Sequence, residues 1–196
     1  KELRTKKIII GYDHRFGRNR NANINDLVAF GNALDFQVEE IPAQEVDEVS
    51  VSSTKIRKAL EEGDVRTANA YLGYEYMLTG TVKKGRGMGR QLGFPTANLV
   101  IAESYKLIPK NGVYAVRSIL NGQTISGMMN IGYNPTVSVG TEKTIEIHFF
   151  DFNQDLYDKK IRIDILEWIR EEEKFDSLED LKIQLQKDKL KVLSIS

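Results

Sequence analysis

Cysteine is absent from the 196 residues, and histidine occurs only twice, at His14 and His148. The first absence excludes disulfides, thiolate nucleophiles and zinc–cysteine sites, and the scarcity of histidine argues against a transition-metal centre. A cytoplasmic compartment fits that composition. Net charge is missing too: Lys+Arg and Asp+Glu both total 28. No overall field therefore draws the chain to nucleic acid or to an anionic membrane, and a nucleic-acid role would need a local basic patch. No apolar run approaches the length of a membrane span, and the charged stretch Lys1 to Lys7 is not followed by a signal-type apolar core. Two common phosphate motifs are also lacking. No glycine is followed by the Lys-Ser/Thr pair of a P-loop, and a dinucleotide fingerprint starting at Gly85 would require glycine at position 90, which is Arg90.

What is present is a stretch from Gly85 to Leu99, Gly-Arg-Gly-Met-Gly-Arg-Gln-Leu-Gly-Phe-Pro-Thr-Ala-Asn-Leu. Dense glycine lets a backbone approach an anion closely, arginine supplies charge, and Thr96 and Asn98 offer oxygen ligands for a hard cation. The stretch reads as a phosphate and Mg²⁺ site. A glycine-rich β-hairpin without a ligand is the alternative.

Taken in order, the chain opens on Lys6 to Asp13, a β-branched run closed by glycine and aspartate, as in a buried strand that delivers an acid, Asp13, to a cleft. His14 to Arg20 is a basic loop, either phosphate-binding or simply solvated. Helical spacing from Asn23 to Leu34 and a strand over Phe36 to Ile41 complete a strand–helix–strand unit. Val51-Ser52-Ser53-Thr54-Lys55-Ile56-Arg57 places three hydroxyls before a helix, suiting a cap, an anion site, or both. A second short helix ends at Gly73.

Beyond it the apolar period changes from about 3.6 to 2. Met77 to Lys83, Gly112 to Leu120, Thr124 to Ile131, Lys143 to Phe150 and Lys160 to Trp168 read as strands of a small closed antiparallel barrel, with Asn121-Gly122 and Asn153-Gln154-Asp155 as turns. Asn130 to Thr136, punctuated by Gly and Asn-Pro, is long enough to be a binding loop but is sufficiently explained as a connection. Ser177 to Leu193 is an amphipathic helix expected to pack through Leu178, Leu181, Ile183, Leu185 and Leu190. Alternation sets Thr144, Glu146 and His148 on one face of their strand and Ile145, Ile147 and Phe149 on the other. Spacing alone favours a solvated Glu146.

Taken together, Gly-Tyr-Asp-His-Arg-Phe-Gly, Val-Ser-Ser-Thr-Lys-Ile-Arg, Leu-Gly-Phe-Pro-Thr-Ala-Asn, Gly-Val-Tyr-Ala-Val, Asn-Ile-Gly-Tyr-Asn-Pro-Thr, Ile-Glu-Ile-His and Lys-Phe-Asp-Ser-Leu-Glu-Asp-Leu resemble the bifunctional bacterial riboflavin kinase and FAD synthetase family. The resemblance implies an α/β, Rossmann-like part of a nucleotidyltransferase domain over residues 1–75. It further implies a six-stranded antiparallel β-barrel with a C-terminal helix over 76–196, which phosphorylates riboflavin with ATP and Mg²⁺ to give FMN and ADP. On that mapping Gly85 and Arg90 cover the ATP phosphates, and Thr96 and Asn98 hold Mg²⁺ and phosphate oxygens. Glu146 becomes the catalytic base, reversing the solvated reading, while Arg170, Glu172 and Phe175 close over the flavin. Asp13, Ser52, Ser53, Thr54 and Arg57 match the adenylyltransferase.

The family's His-x-Gly-His signature occurs nowhere in these residues. A chain that begins with Lys and enters a strand at once is expected to be part of a longer protein, with little or no FAD synthetase activity in this portion. Its front surface is expected to be available for self-association. The competing class is a non-catalytic barrel that binds flavin or RNA; neutral charge argues against RNA, and Thr96, Asn98 and Glu146 together exceed what flavin binding requires.

Overall fold

The strand–helix–strand pattern of the first residues folds as one crossover. The computed structural model describes residues 5–12, 14–43, 45–46, 49–85, 87–133 and 143–195, which group into two compact units, Lys1–Val51 and Ser52–Ser196. In the first, β1 (Lys7–Gly11) and β2 (Gln37–Ile41) pair in parallel, with Ile8 opposite Val38. Parallel neighbours need a crossover, which α1 (Ile24–Leu34) supplies. Asn23 starts α1 by accepting the amides of Asn25 and Asp26, while the Asp26 carboxylate accepts the Asn23 amide at 2.8 Å. A hairpin of β3 (Glu45–Val46) and β4 (Val49–Ser50) follows. Ile9, Phe30, Leu34 and Ile41 are exposed.

The second unit opens with α2 (Ser53–Glu62) and α3 (Val65–Leu72), whose first turns are capped by Ser52 and Asp64. These helices, read from the sequence as the close of the front module, group by contact with the barrel. The Asn69 side chain explains part of this: its amide donates to the Ile165 carbonyl at 2.9 Å and its oxygen accepts the Tyr76 amide at 2.7 Å.

β5 (Met77–Lys83), β6 (Ala97–Val100), β7 (Gly112–Leu120), β8 (Gln123–Tyr133), β9 (Lys143–Phe149) and β10 (Lys160–Arg170) close a barrel in the order β10-β5-β6-β9-β8-β7, all neighbours antiparallel. A one-turn helix, α4 (Met88–Gln91), interrupts the glycine-rich stretch between β5 and β6. Every other side chain fills the interior, where Leu78, Tyr114, Met129, Ile147, Ile163 and Ile165 are fully buried. Closure leaves no unpaired strand edge in the barrel.

Two sequence readings change. Four-residue β6 lay hidden behind Pro95, too short for its alternation to register, and it is the strand that completes the ring. Gly132 and Tyr133, read only as part of a connection, continue β8 because they find partners in β9; Asn134 to Thr136 lie outside the described residues.

The last helix, α5 (Leu178–Leu193), is capped by Ser177, and of the five residues expected to pack, Leu181 and Leu185 turn inward while the other three do not. Leu178 is 68% exposed, Leu190 70% and Ile183 44%, whereas Asp188 is 2% exposed and Val192 is fully buried. The inward stripe runs Leu181, Leu185, Asp188, Val192, and a carboxylate inside it concealed the pattern. Asp188 is buried because Arg170, at the end of β10, donates to it through Nε and Nη2 at 2.7–3.1 Å, and Gln184 donates a further bond at 2.9 Å. Lys191 donates to the Ile169 carbonyl at 3.0 Å.

His148, on the outer face of β9, lies edge-on to Phe94, with ring centres 5.1 Å apart, and 5.7 Å from Phe150. Its Nδ1 is 2.8 Å from the Pro95 carbonyl oxygen, which can only accept, so Nδ1 carries the proton. Burial pushes the imidazole below its ordinary 6.5, opposed by the bond to Pro95. The unfolded chain therefore binds this proton more readily. The stabilisation from a neutral His148 is complete above pH 6.5 and declines as pH falls through that value towards the lowered native one.

Two measurements check these contacts. Asp188→Ala leaves the Arg170 guanidinium without its counter-charge; a loss of about 3–5 kcal/mol, a fall in Tm on the order of 10 °C, is expected in thermal denaturation. Replacing His148 with Gln removes one source of acid lability, so urea midpoints measured from pH 7 to pH 5 should fall less steeply for the variant than for the unmodified chain.

Candidate functional site

The register of the barrel draws the residues singled out from the sequence into one line. Lys83 of β5 lies opposite Asn98 of β6, Asn98 opposite Glu146 of β9, Glu146 opposite Asn130 of β8, Asn130 opposite Val113 of β7, and Val113 opposite Arg170 of β10. Directly opposed residues share a face, so the row runs as one continuous line across the outer faces of the six strands, climbing around the barrel from Lys83 to Arg170. Glu146, Asn98 and Arg170, far apart in sequence, occupy it together.

Glu146 is half-buried. The Thr96 hydroxyl donates to its Oε2 at 3.0 Å, and its opposite-facing neighbours Ile145 and Ile147 are buried in the core. The contrast fixes the strand's rotation: a carboxylate has a strong preference for the face where a hydroxyl and solvent meet it.

Gly85 lies directly against the Asn98 amide, and a Cβ at position 85 would occupy the same space as the Asn98 nitrogen. The glycine thus allows the loop leaving β5 to rest on β6. Arg90, on α4, is exposed and faces a cavity of about 320 Å³ at the barrel mouth.

That cavity is lined by Thr96 and Arg90 on one side and by Phe152, Gln154, Asp155 and Tyr157 of the β9–β10 connection on the other. A second cavity, of about 500 Å³, lies on the outer face beneath α5. Glu146, Asn130 and Glu172 are among its polar residues, and Phe94, Met128 and Leu185 are among its apolar walls. Thr96 lines both cavities. A third cavity, about 410 Å³, includes Arg66 and Arg117, but these pair with Glu167 and Glu75.

Of the segment after β10, Glu172 accepts a hydrogen bond from the Asn130 amide at 3.1 Å. Its carboxylate rests on Gly132, where a Cβ would collide with it. Phe175 is half-buried in the wall of the larger cavity, its ring centre 5.9 Å from the Arg170 guanidinium carbon. Arg170 borders the same cavity, yet its donors go to Asp188 and, through Nη1, to the Glu171 carbonyl at 2.8 Å.

The structure therefore brings together Arg90, Thr96, Asn98, Glu146, Arg170, Glu172 and Phe175, with Gly85 supporting Asn98. Ser52 caps α2 in the second unit, and Ser53, Thr54 and Arg57 are exposed on its first turns. Asp13 lies outside the described residues. Sequence reasoning overlooked Asn130, whose position opposite Glu146 depends on strand order, and the lining role of 152–157, where only a turn was legible.

The riboflavin kinase family model matches residues 72–196, and the FAD synthetase model matches residues 1–55. A bifunctional riboflavin kinase/FMN adenylyltransferase from Listeria monocytogenes is 39% identical over 186 residues, covering 95% of this chain and 59% of the relative. One of the same description from Bacillus subtilis is 37% identical over 191 residues, again covering 95% of this chain and 59% of the relative. The chain thus spans about 60% of the length of these curated relatives. Among solved structures, a protein from Streptococcus pneumoniae described as a macrolide-efflux protein superposes with a TM-score of 0.85 at 36% identity, over 96% of this chain and 60% of that one. With a family model matching well over half its length in the part that forms the barrel, the chain belongs to the riboflavin kinase family.

Proposed function

We propose that the chain transfers the γ-phosphoryl group of ATP to the terminal hydroxyl of riboflavin's ribityl chain, yielding FMN and ADP, and that residues 76–196 are the kinase module. One observation carries the reading: two cavities meet at Thr96, whose hydroxyl is bonded to the one carboxylate, Glu146, that faces the larger of them from the barrel wall. A nucleotide in the smaller cavity and a flavin in the larger would present the phosphoryl group and its acceptor to each other beside Glu146.

Phosphoryl transfer depends on positioning and on neutralising charge. Arg90 and the glycine-supported loop would bear on the phosphates. The acceptor oxygen forms a bond to the γ-phosphorus as the bond to the β–γ bridging oxygen breaks; the hydroxyl proton passes to Glu146, and ADP departs with the released electron pair. The Thr96 bond to Oε2 orients the carboxylate for this role.

Thr96 and Asn98 would hold Mg²⁺. Their neutral oxygens suit a hard cation, and Thr96 keeps lone pairs while donating to Glu146. Among the described residues no group of three or more His, Cys, Asp or Glu could hold a metal, so phosphate oxygens and water would complete the shell; the ion would offset charge on the phosphates. Phe175, Leu185 and Met128 would cover the flavin ring.

The full-length relatives' second activity, joining FMN to AMP, would need more than this chain carries. Ser52, Ser53, Thr54, Arg57 and Asp13 correspond to part of that site, but the His-x-Gly-His signature is absent. The name of the streptococcal structure describes that protein; both family models and the curated relatives point this chain to flavin nucleotide synthesis.

Two assays follow. In riboflavin, ATP and Mg²⁺, chromatography should show FMN accumulating without FAD; FAD appearing from FMN and ATP would overturn the second part of the proposal. Glu146→Gln keeps the volume and the Thr96 contact but cannot take the proton, so kcat should fall about 10²–10⁴-fold with little change in flavin affinity. Unchanged turnover would remove Glu146 as the base.

A further inference from the structure

The cross-strand row has a direction. Thr96 lines the smaller cavity just before β6, Asn98 stands on β6, Glu146 follows on β9, Asn130 on β8 and Val113 on β7. An acceptor that offers its terminal hydroxyl to Glu146 and lays its apolar ring in the larger cavity must therefore cross β8. The residue it crosses is Asn130, one strand spacing, about 4.8 Å, from Glu146.

Asn130 is a conspicuous choice at that point. The flanking β8 residues Met129 and Ile131 face the core, Met128 is apolar cavity wall, and Val113 opposite is buried. The amide is half-buried and held by Glu172, which can approach only because position 132 lacks a Cβ. Among the β8 residues that line the cavity, Met128, Met129 and Asn130, only Asn130 is polar, and the Glu172 carboxylate stands on its amide; that pair is suited to a ligand whose middle is polar. The carboxylate accepts hydrogen bonds, and the amide both donates and accepts, as vicinal hydroxyls require.

From this, and resting on the kinase reading above, we infer that Asn130, positioned by Glu172, reads the secondary hydroxyls of the acceptor's polyol chain. It is a specificity-determining residue that selects a hydroxylated chain over an alkyl chain ending in a single hydroxyl. The physical basis is asymmetric: a ligand without those hydroxyls covers the Asn130 oxygen and the second Glu172 oxygen without replacing their water contacts, whereas a hydroxylated one replaces them.

The test compares riboflavin with a flavin bearing the same ring and a five-carbon chain with only the terminal hydroxyl. The unmodified chain should favour riboflavin about tenfold or more in kcat/KM. Asn130→Ala should bring the two substrates to within about threefold, mainly by raising KM for riboflavin. Glu172→Gln, which retains an oxygen acceptor for the Asn130 amide, should keep most of the preference, and Glu172→Ala should lose it. A merely structural role would lower both substrates alike and leave the ratio intact; that result, or an Asn130→Ala variant with the original preference, would overturn the inference. Flavin fluorescence titration without ATP reads the same ratio as Kd. A chain that binds riboflavin with this preference but forms no FMN would defeat the kinase reading and leave the inference standing, whereas FMN formation with no preference would do the reverse.

Discussion

The position of β9 between β6 and β8 is the constraint on which the site depends. Backbone pairing on both sides sets Asn98, Glu146 and Asn130 abreast, and the alternation of β9 sends Ile145, Ile147 and Phe149 into the core. A one-residue slip would bury Glu146 and expose three large apolar side chains, so the hydrophobic effect enforces the register of the polar face. The candidate site inherits its geometry from the packing of residues that never touch a ligand.

Around that row, side chains from other elements are placed by a small set of contacts. Gly85 and Gly132 matter for what they lack: one allows the loop before β6 to lie on Asn98, the other allows Glu172 to reach Asn130. The Arg170–Asp188 pair joins the end of β10 to the second half of α5. Because α5 is held there and by Val192, its first half can form one wall of the larger cavity through Leu181 and Leu185 while Leu178 stays exposed. Arg170, matched by resemblance to a flavin-contacting position, spends its donors on this anchor. Its contribution to the cavity is the edge it shares with Phe175.

The joining of two cavities at Thr96 gives the chemistry a compact layout. One hydroxyl borders the smaller cavity and the larger one, and is bonded to the Glu146 carboxylate. Such an arrangement needs no mobile catalytic group to bring base and acceptor together, and it makes positioning the main task of the scaffold. His148, two residues along β9, serves a different end; its ring is held by Phe94, Phe150 and the Pro95 carbonyl, which fixes the turn that presents Thr96.

Local chemistry in the sequence determined a good deal. Period-2 alternation marked five barrel strands, helical spacing from Asn23 and hydroxyls at Ser52 and Ser177 marked helix starts, and the Gly85 to Leu99 stretch marked a candidate site with Thr96 and Asn98, to which resemblance added Glu146. These are legible because each depends on neighbours within a few residues. Other features were settled only by long-range contact. Four-residue β6 is a strand because β5 and β9 flank it, Asn130 lies beside Glu146 because β8 pairs with β9, and the buried face of α5 contains Asp188 because Arg170 meets it from another element. No local pattern encodes such pairings, since the partner that makes a position polar, buried or adjacent to the site is supplied by a distant part of the chain.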